Sequence, residues 1–480
     1  MRAIHHAQRR TNHQQVPVSE SRSGLAEDVR RIVELAWPVL VGQLAVLGFS
    51  TVDTLLVGRY AAADMAAFAV GASIYITVFI GLMGVVLAIS PIVGQLFGAK
   101  RLAEAGHQMH QSVWLALGLS VLGCALLVFP QPFLSISNTT PDVSEKIGGY
   151  LLALAFSLPA ALLFTVYRGF NTAVSRPKAV MLLQLAGLAM KIPLSSALVF
   201  GAPSLGLDAL GVTGCGIATM IAMWSQLGLA WLVLRRDPFY TRFAIHGHGL
   251  ARPHRASLLA LLRLGVPMGL TILIEVSGFA FMAIFIARLG TTTVAGHQVA
   301  ANLVSMMFML PLALSNAAST LVAQRIGAND IAAAVRVGWR GMQFALVLAV
   351  VLGALVFAAR RGIVALYTND AAIAAAALPL LTWVAVFHIG DALQTVAQFV
   401  LRAWRITVVS FLVFAVSMWG VGLGGGYALA FGLVGPAMGA PGFWLAATAG
   451  LMLAGVLLGG FLAWMLHQRR AKAGSLTPAA

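Results

Sequence analysis

Apolar residues in this chain come in long unbroken runs. They show neither the 3.6-residue stripe of a water-facing helix nor the alternation of a half-buried strand. A helix needs about 20 apolar residues to cross the hydrocarbon core of a bilayer. Twelve runs are long enough, near 35–57, 68–97, 112–134, 148–169, 179–200, 209–234, 264–288, 294–323, 341–359, 374–401, 406–431 and 441–466. No series of alternating ten-residue segments predicts a β-barrel. The pattern predicts an all-α integral membrane protein. Composition agrees: 60% of residues are hydrophobic and 10% charged, against about 25% charged in soluble domains.

The net charge of +16 changes the picture only through its placement. Basic residues fall in short loops between apolar runs, which argues against nucleic acid as a partner. The arm before the first span and the loops after even-numbered spans, with the tail, carry 25 of the 31 Lys and Arg. The other side carries Arg59, Lys146, Arg288, Arg360 and Arg361, and Lys191 lies inside a span. The positive-inside rule then predicts both termini in the cytoplasm. Residues 1–34 read as a cytoplasmic arm without the apolar core of a signal peptide, ending in LAEDVRRIVELAWP. There Glu27 with Arg31 and Arg30 with Glu34 stand at i,i+4 on a helix at the membrane surface. Two six-helix lobes follow, 35–234 and 264–466, separated by a cytoplasmic loop, 235–263, and closed by a tail, 467–480.

The lobes repeat one design. At an offset of 229 residues, LAWPVL falls on LGVPMG and SPIVGQLFGA on STLVAQRIGA. Pro38 meets Pro267, Gln95 meets Gln324, and Gly98 with Ala99 meets Gly327 with Ala328. ISNTTPDV near 136–143 likewise resembles LYTNDAAI near 366–373. Because six is even, both halves enter from one side. The repeat is parallel, with a pseudo-twofold along the membrane normal, and transporters of this kind bind substrate between their halves.

Four charges lie well inside spans: Asp53, Lys191, Glu275 and Asp391. A carboxylate at mid-bilayer costs roughly 2.5–3.5 kcal/mol on insertion scales, and such residues are functional by default. The repeat places Met282 opposite Asp53 and Val46 opposite Glu275, so the fold does not itself require these charges. Glu275 and Asp391 both sit deep. Two carboxylates in a poorly solvated cavity cannot both stay ionised cheaply, so the pair either holds a proton or binds a cation such as Na⁺. The natural partner of Lys191 is Asp53, the carboxylate inside a span of the same half, and that requires spans 1 and 5 to be close. An ion pair lowers the cost of both charges.

Gln43, Phe279, His297, Gln298, Asn302, Phe308, Gln394 and Gln398, with Phe281, are candidates for a cavity lining. Any single His or Phe of this kind is more often ordinary helix packing than a ligand contact. The glycine-rich stretch at 422–442 reads as flexible chain with small-residue packing; it follows no strand and is not a dinucleotide fingerprint. Cys124 and Cys215 offer no disulfide framework or metal spacing. No cofactor is expected.

LAWPVLVGQLAVLGFSTVDTLLVG, SPIVGQLFGAKR, GVTGCGIAT, GVPMGLTILIEVSGF, AGHQVAANLVSMMFMLPLALSNAASTLVAQRIGA and DALQTVAQFVLR, in that order, resemble the multidrug and toxic compound extrusion (MATE) family, NorM-like branch. The resemblance runs from about residue 30 to 430. It implies two six-helix lobes in a V and antiport of cationic, amphiphilic drugs against Na⁺ or H⁺ by a monomer in the bacterial inner membrane. The family's first-span, seventh-span and tenth-span acids fall on Asp53, Glu275 and Asp391. The chain departs in KIPLS, where Lys191 and Ser195 replace asparagines, in Phe387 followed by His388, where a tyrosine is common, and in RAWRITVV, which loses an acid. Lys191 puts direct Na⁺ binding at Asp53 in doubt.

Two rivals are set aside at this level. A lipid-linked oligosaccharide flippase of the same superfamily is expected to have several buried arginines, and the apolar runs predict none. A membrane-embedded transferase needs an acidic or metal-binding loop at the surface, whereas these loops are short and basic.

Overall fold

The computed structural model describes residues 24–131, 140–203, 206–245, 247 and 249–474. Most of the N-terminal arm, the end of the tail and part of the 136–143 match lie outside them. Among the described residues, twelve helices are long and apolar enough to cross a membrane. They are α1 Leu25–Tyr60, α2 Ala62–Gly98, α3 Leu102–Val128, α4 Pro141–Ala173, α5 Pro177–Phe200, α6 Gly211–Arg236, α7 Arg255–Ala287, α8 Thr291–Gly327, α9 Ile331–Tyr367, α10 Ala371–Ala403, α11 Val408–Ala430 and α12 Ala440–Gly474.

Several helices run longer than their apolar cores. The surface helix is not separate: α1 continues through Pro38, with Arg31 on Glu27 at 2.7 Å and Arg30 on Glu34 at 2.8 Å. Within α2 the helix is interrupted at Leu87 and Ala88. Pro91 accounts for this, since its ring displaces the carbonyl four residues back, that of Leu87. The glycine-rich stretch is a correction. Val416–Gly424 forms a π-helix and Gly425–Ala430 an α-helix, so much of what reads as flexible chain is the second half of α11. Small residues let this half of α11 pack closely: a Cβ on Gly426 would press on Phe443.

The 229-residue offset carries α2 onto α8 end for end and starts α3 on α9 and α6 on α12. It extends to the turns. Lys100 and Asn329 are left-handed at φ 59° and 59°, and Ser175 and Arg405 at 61° and 60°. At all four the next residue's N–H bonds back five residues: Arg101 to Leu96, Arg176 to Asn171, Asp330 to Arg325 and Ile406 to Leu401. These are Schellman ends, which satisfy the last carbonyls of a helix. All four lie on the face that carries the basic loops, called the basic face below.

Each lobe has its own core. One apolar cluster draws on the first lobe, around Tyr150, Leu158 and Phe170, with Tyr240 and Phe243 of the loop that follows it, and another only on the second, around Leu380, Phe387 and Trp444. Two further clusters join them. One sets Ile32 and Ala36 of α1 against Ala313 and Ala317 of α8; the other sets Val85 and Ala88 of α2 against Leu264 and Met268 of α7. The crossings α1 on α8 and α2 on α7 are images of one another under the repeat. In the second, Gly84 and Gly269 bring backbones so close that a Cβ on either would strike the opposite chain.

Candidate functional site

Between the lobes lies a cavity of ≈ 710 Å³, within the range of small-molecule sites. Its walls come from α1, α2, α4, α5, α7, α8 and α10, with a few residues of α11 and α12. On α10, Phe387, Asp391, Thr395, Gln398 and Arg402 all line it. Their spacing of three or four residues puts them on one face. His297, Ala301, Ser305, Phe308, Leu312 and Asn316 do the same on α8, and Ile272, Glu275, Phe279 and Ala283 on α7.

The cavity has two chemically distinct ends. Toward the start of α8 and the middle of α10 stand Glu275, Asp391, His297 and an aromatic wall. Phe387 packs edge-on against Phe279 at 5.9 Å and Trp444 at 5.7 Å. The Trp444 indole donates to His297 Nδ1 at 3.2 Å; because indole is donor only, the His297 proton rides on Nε2. Asp391 Oδ1 stands 3.5 Å from the Thr395 hydroxyl. Glu275 has no hydrogen bond or ion pair among the described residues, yet lies within electrostatic range of Asp391 and Arg402. Toward the basic face stand Arg168, Arg402, Ser90, Thr172 and Asn316.

The two arginines are a correction. Arg402 is buried, and Arg168, half-buried, lies on the cavity wall. Arg168 stands one residue from the end of its apolar run and Arg402 just past the end of its own, so both read as cytoplasmic-end residues, while α4 and α10 continue past those ends. The flippase reading therefore loses the argument that set it aside. The spacing held a signal for one of them: Arg402 lies eleven residues after Asp391, three helical turns on the same face. No comparable signal marks Arg168.

Gln43, Phe279, His297, Gln298, Phe308, Phe387 and Gln398 line the cavity. Asn302 and Gln394 do not. Asn302 is exposed, five residues and about 140° round α8 from His297. Gln394 is buried but turned aside, its Oε1 accepting from Thr395 at 3.1 Å. Phe281 packs against Trp419 at 5.8 Å.

Asp53 and Lys191 lie outside the cavity lining, within the first lobe. α1 packs on α5, and Lys191 Nζ stands 2.8 Å from Asp53 Oδ1 with its side chain 0% exposed. It also donates to Thr219 Oγ1 at 2.6 Å and lies 5.5 Å from the centre of the Phe49 ring. Ser195, in the same KIPLS motif, is buried with no hydrogen-bond partner for its hydroxyl among the described residues.

A twelve-span bundle of two equivalent lobes around one central cavity defines a membrane transporter rather than an enzyme. The MatE family profile matches residues 38–196 and 267–428, one stretch in each lobe, and the chain belongs to that family. The probable multidrug resistance protein NorM of Aromatoleum aromaticum is 42% identical over 441 residues, 91% of this chain and 93% of the relative. The multidrug resistance protein MdtK of Yersinia pseudotuberculosis is 34% identical over 445 residues, 92% of this chain and 96% of the relative. The twelve apolar helices and these bacterial relatives make it a multi-pass inner-membrane protein. A solved structure described as the outward-facing conformation of a multidrug resistance MATE family transporter of the MOP superfamily superposes with TM-score 0.83 at 18% identity, over 92% of this chain and 97% of that one. At that identity the likeness speaks for the fold alone.

Proposed function

We infer that this protein exports cationic, amphiphilic drugs in exchange for H⁺ or Na⁺, by alternating access of its two lobes. The observation that carries the reading is Glu275 with Asp391 on one cavity wall, with no ion pair to either among the described residues. Two such acids can take a proton, a metal cation or the cationic head of a drug, and occupancy by one displaces another. The relatives' names speak of multidrug resistance, and the cationic, amphiphilic class is what the family resemblance implies. One charge moving through 100 mV supplies about 2.3 kcal/mol, enough for a gradient of roughly fifty-fold, so a single ion per cycle suffices.

Asp53 has a different role in this reading. Lys191 already occupies the place of a bound cation beside it, and protonation of Asp53 would break the pair and loosen α1 from α5. The ion site is then Glu275 with Asp391, and the first lobe holds a switch. Both termini are cytoplasmic and the working unit is a monomer in the lipid bilayer. The flippase alternative retains the two cavity arginines in its favour; the carboxylate pair and the sequence relatives decide against it. The test is transport of ethidium by purified protein in liposomes under separately imposed Na⁺ and H⁺ gradients. Export driven by neither would overturn antiport, and the ion that drives it identifies the coupling.

A further inference from the structure

Each lobe's first helix begins on the other lobe. Ile32 and Ala36 of α1 share an apolar core with Ala313 of α8 and Met342 of α9. From Gly42 onward α1 packs on α5 of its own lobe, where a Cβ on Gly42 or Gly48 would press on Gln184 or Leu188. The second lobe repeats this. Leu261 and Leu264 of α7 share a core with Leu115 of α3 and Val85 of α2, whereas Met282 lies in the core of the second lobe. Two seams therefore join the lobes on the basic face, α1 on α9 and α3 on α7. The 229-residue offset carries one onto the other.

Among the described residues an ion pair crosses only the first seam. Asp28 on α1 is buried, and Arg340 and Arg336 on α9 stand 2.5 and 3.8 Å from its Oδ2. Both arginine side chains reach water, at 22% and 33% exposure. The offset carries Asp28, Arg340 and Arg336 onto Ser257, Gln111 and His107, and there the ties are neutral. Gln111 accepts from the His254 N–H at 2.7 Å and donates to the Arg252 carbonyl at 2.9 Å. The Trp114 indole donates to the Ala251 carbonyl at 2.8 Å, and Gln108 to Ser257 Oγ at 3.2 Å. The loop before α7 is also held by the first lobe: Tyr240 and Phe243 are buried, and Tyr240 donates to Asn171 at 2.6 Å. The start of α7 is thus fastened to the first lobe by its loop as well as by α3.

Opening costs differ at the two seams. At the solvent's edge, paired and hydrated ions are close in free energy, and salt screens them beyond about 8–10 Å. Opening the α3–α7 seam breaks four hydrogen bonds together, two of them made by the buried Gln111, and each freed group must find a new partner. The α1–α9 seam is the one suited to repeated opening.

We propose that the lobes part on the basic face at the α1–α9 seam, with Asp28 as its lock, while the α3–α7 seam stays closed through the cycle. Asp28 does not line the cavity; it acts through α1, as a positioning residue. This rests on alternating access of the two lobes. Two double-cysteine proteins test it in liposomes, Asp28→Cys with Arg340→Cys and Gln108→Cys with Ser257→Cys, each joined by a short reducible bis-methanethiosulfonate. Linking the first pair should stop ethidium export until the link is reduced. Linking the second should leave export at the rate of its reduced form. Export by the protein linked at α1–α9, or a block by both links, would overturn the one-sided opening. The lock is also read without transport, by spin labels at Leu25 and Trp339, both exposed. Asp28→Asn should raise the separated population at least about tenfold, the loss of a charge-assisted hydrogen bond, and Asp28→Glu should restore the wild-type distribution. Equal distributions in all three would overturn the lock. Wild-type protein that exports no ethidium would refute the export reading instead, and the spin-label distances would still decide the seam.

Discussion

Gln95 and Gln324 occupy equivalent positions in the two lobes, and each reaches across to the other. Gln95 Nε2 donates to the carbonyl of Ala403, at the end of α10, at 2.8 Å. Gln324 Nε2 donates to the carbonyl of Ala173, at the end of α4, at 2.7 Å, and to Ser175 Oγ at 2.8 Å. One turn on, Gly98 lies against the backbone of Gln324 and Gly327 against that of Gln95, where a Cβ on either would collide. The end of each lobe's second helix is thus held at the end of the other's fourth, and the lobes are latched on the basic face.

The latch makes a directional prediction. A hydrogen bond of this kind contributes about 1 kcal/mol, so Gln95→Ala with Gln324→Ala, which removes three, should shift the equilibrium between latched and unlatched states roughly a hundredfold. Spin labels at Ala99 and Ala328, both exposed, should report a longer distance population in the double variant. Gly98→Val should act in the same direction by steric force. Unchanged distance distributions in both variants would show that the latch does not hold this state.

Much of this architecture is legible in the chain. The twelve runs locate the helices, the offset of 229 pairs the lobes, and Gln95 and Gln324 stand out in the repeat before any contact is known. The i,i+4 pairs on α1 follow from helical geometry alone. The remainder depends on rotation and on helix ends. Hydropathy stops where charge begins, so Arg168 and Arg402 read as span ends although their helices continue beyond them. Whether Asn302 or Ser305 faces the cavity depends on how α8 is turned against its neighbours, which the apolar surface of a membrane helix does not encode. The glutamine bonds end on backbone carbonyls, and a carbonyl leaves no mark on sequence.

The pair Lys191–Asp53 should behave as a buried ion pair. Removing one member strands the other, at a cost of about 3–5 kcal/mol, whereas replacing both with neutral residues of similar size is far cheaper. Lys191→Met and Asp53→Asn should each lower the thermal midpoint of purified protein, and the double variant should recover most of the loss. Additive losses would show that the two charges are energetically independent.

Outside the spans, Asp237 ties the end of α6 to the turn after α4. Partial burial works against its charge, but the N–H of Phe239 at 2.9 Å and the guanidinium of Arg176 outweigh it and hold the carboxyl below its ordinary value. A carboxyl lowered on folding contributes stability above its unfolded pKa of about 3.9, and the contribution is lost as pH falls through the lower folded value. Asp237→Asn keeps an acceptor for Phe239 and removes the charge. It should cost under about 1 kcal/mol at pH 7, since the pair is partly exposed. The difference from wild type should close as the pH falls below about 4. Unfolding midpoints at the two pH values check this, and a difference independent of pH would place the effect in hydrogen bonding rather than in charge.

Glu275 and Asp391 should separate transport from stability. If these acids only bonded neighbouring helices, neutral amides would weaken the fold and leave each folded molecule competent. If they are the ion site, the opposite holds. Glu275→Gln and Asp391→Asn remove a charge that is costly in a membrane, so each variant should be as stable as wild type or more so. Ethidium export driven by an imposed ion gradient should fall to the level of protein-free liposomes in both. Binding of ethidium to purified protein should weaken by about tenfold, the loss of one charge-assisted contact. Either variant exporting ethidium at the wild-type rate would remove that residue from the coupling site and leave the other to carry it alone.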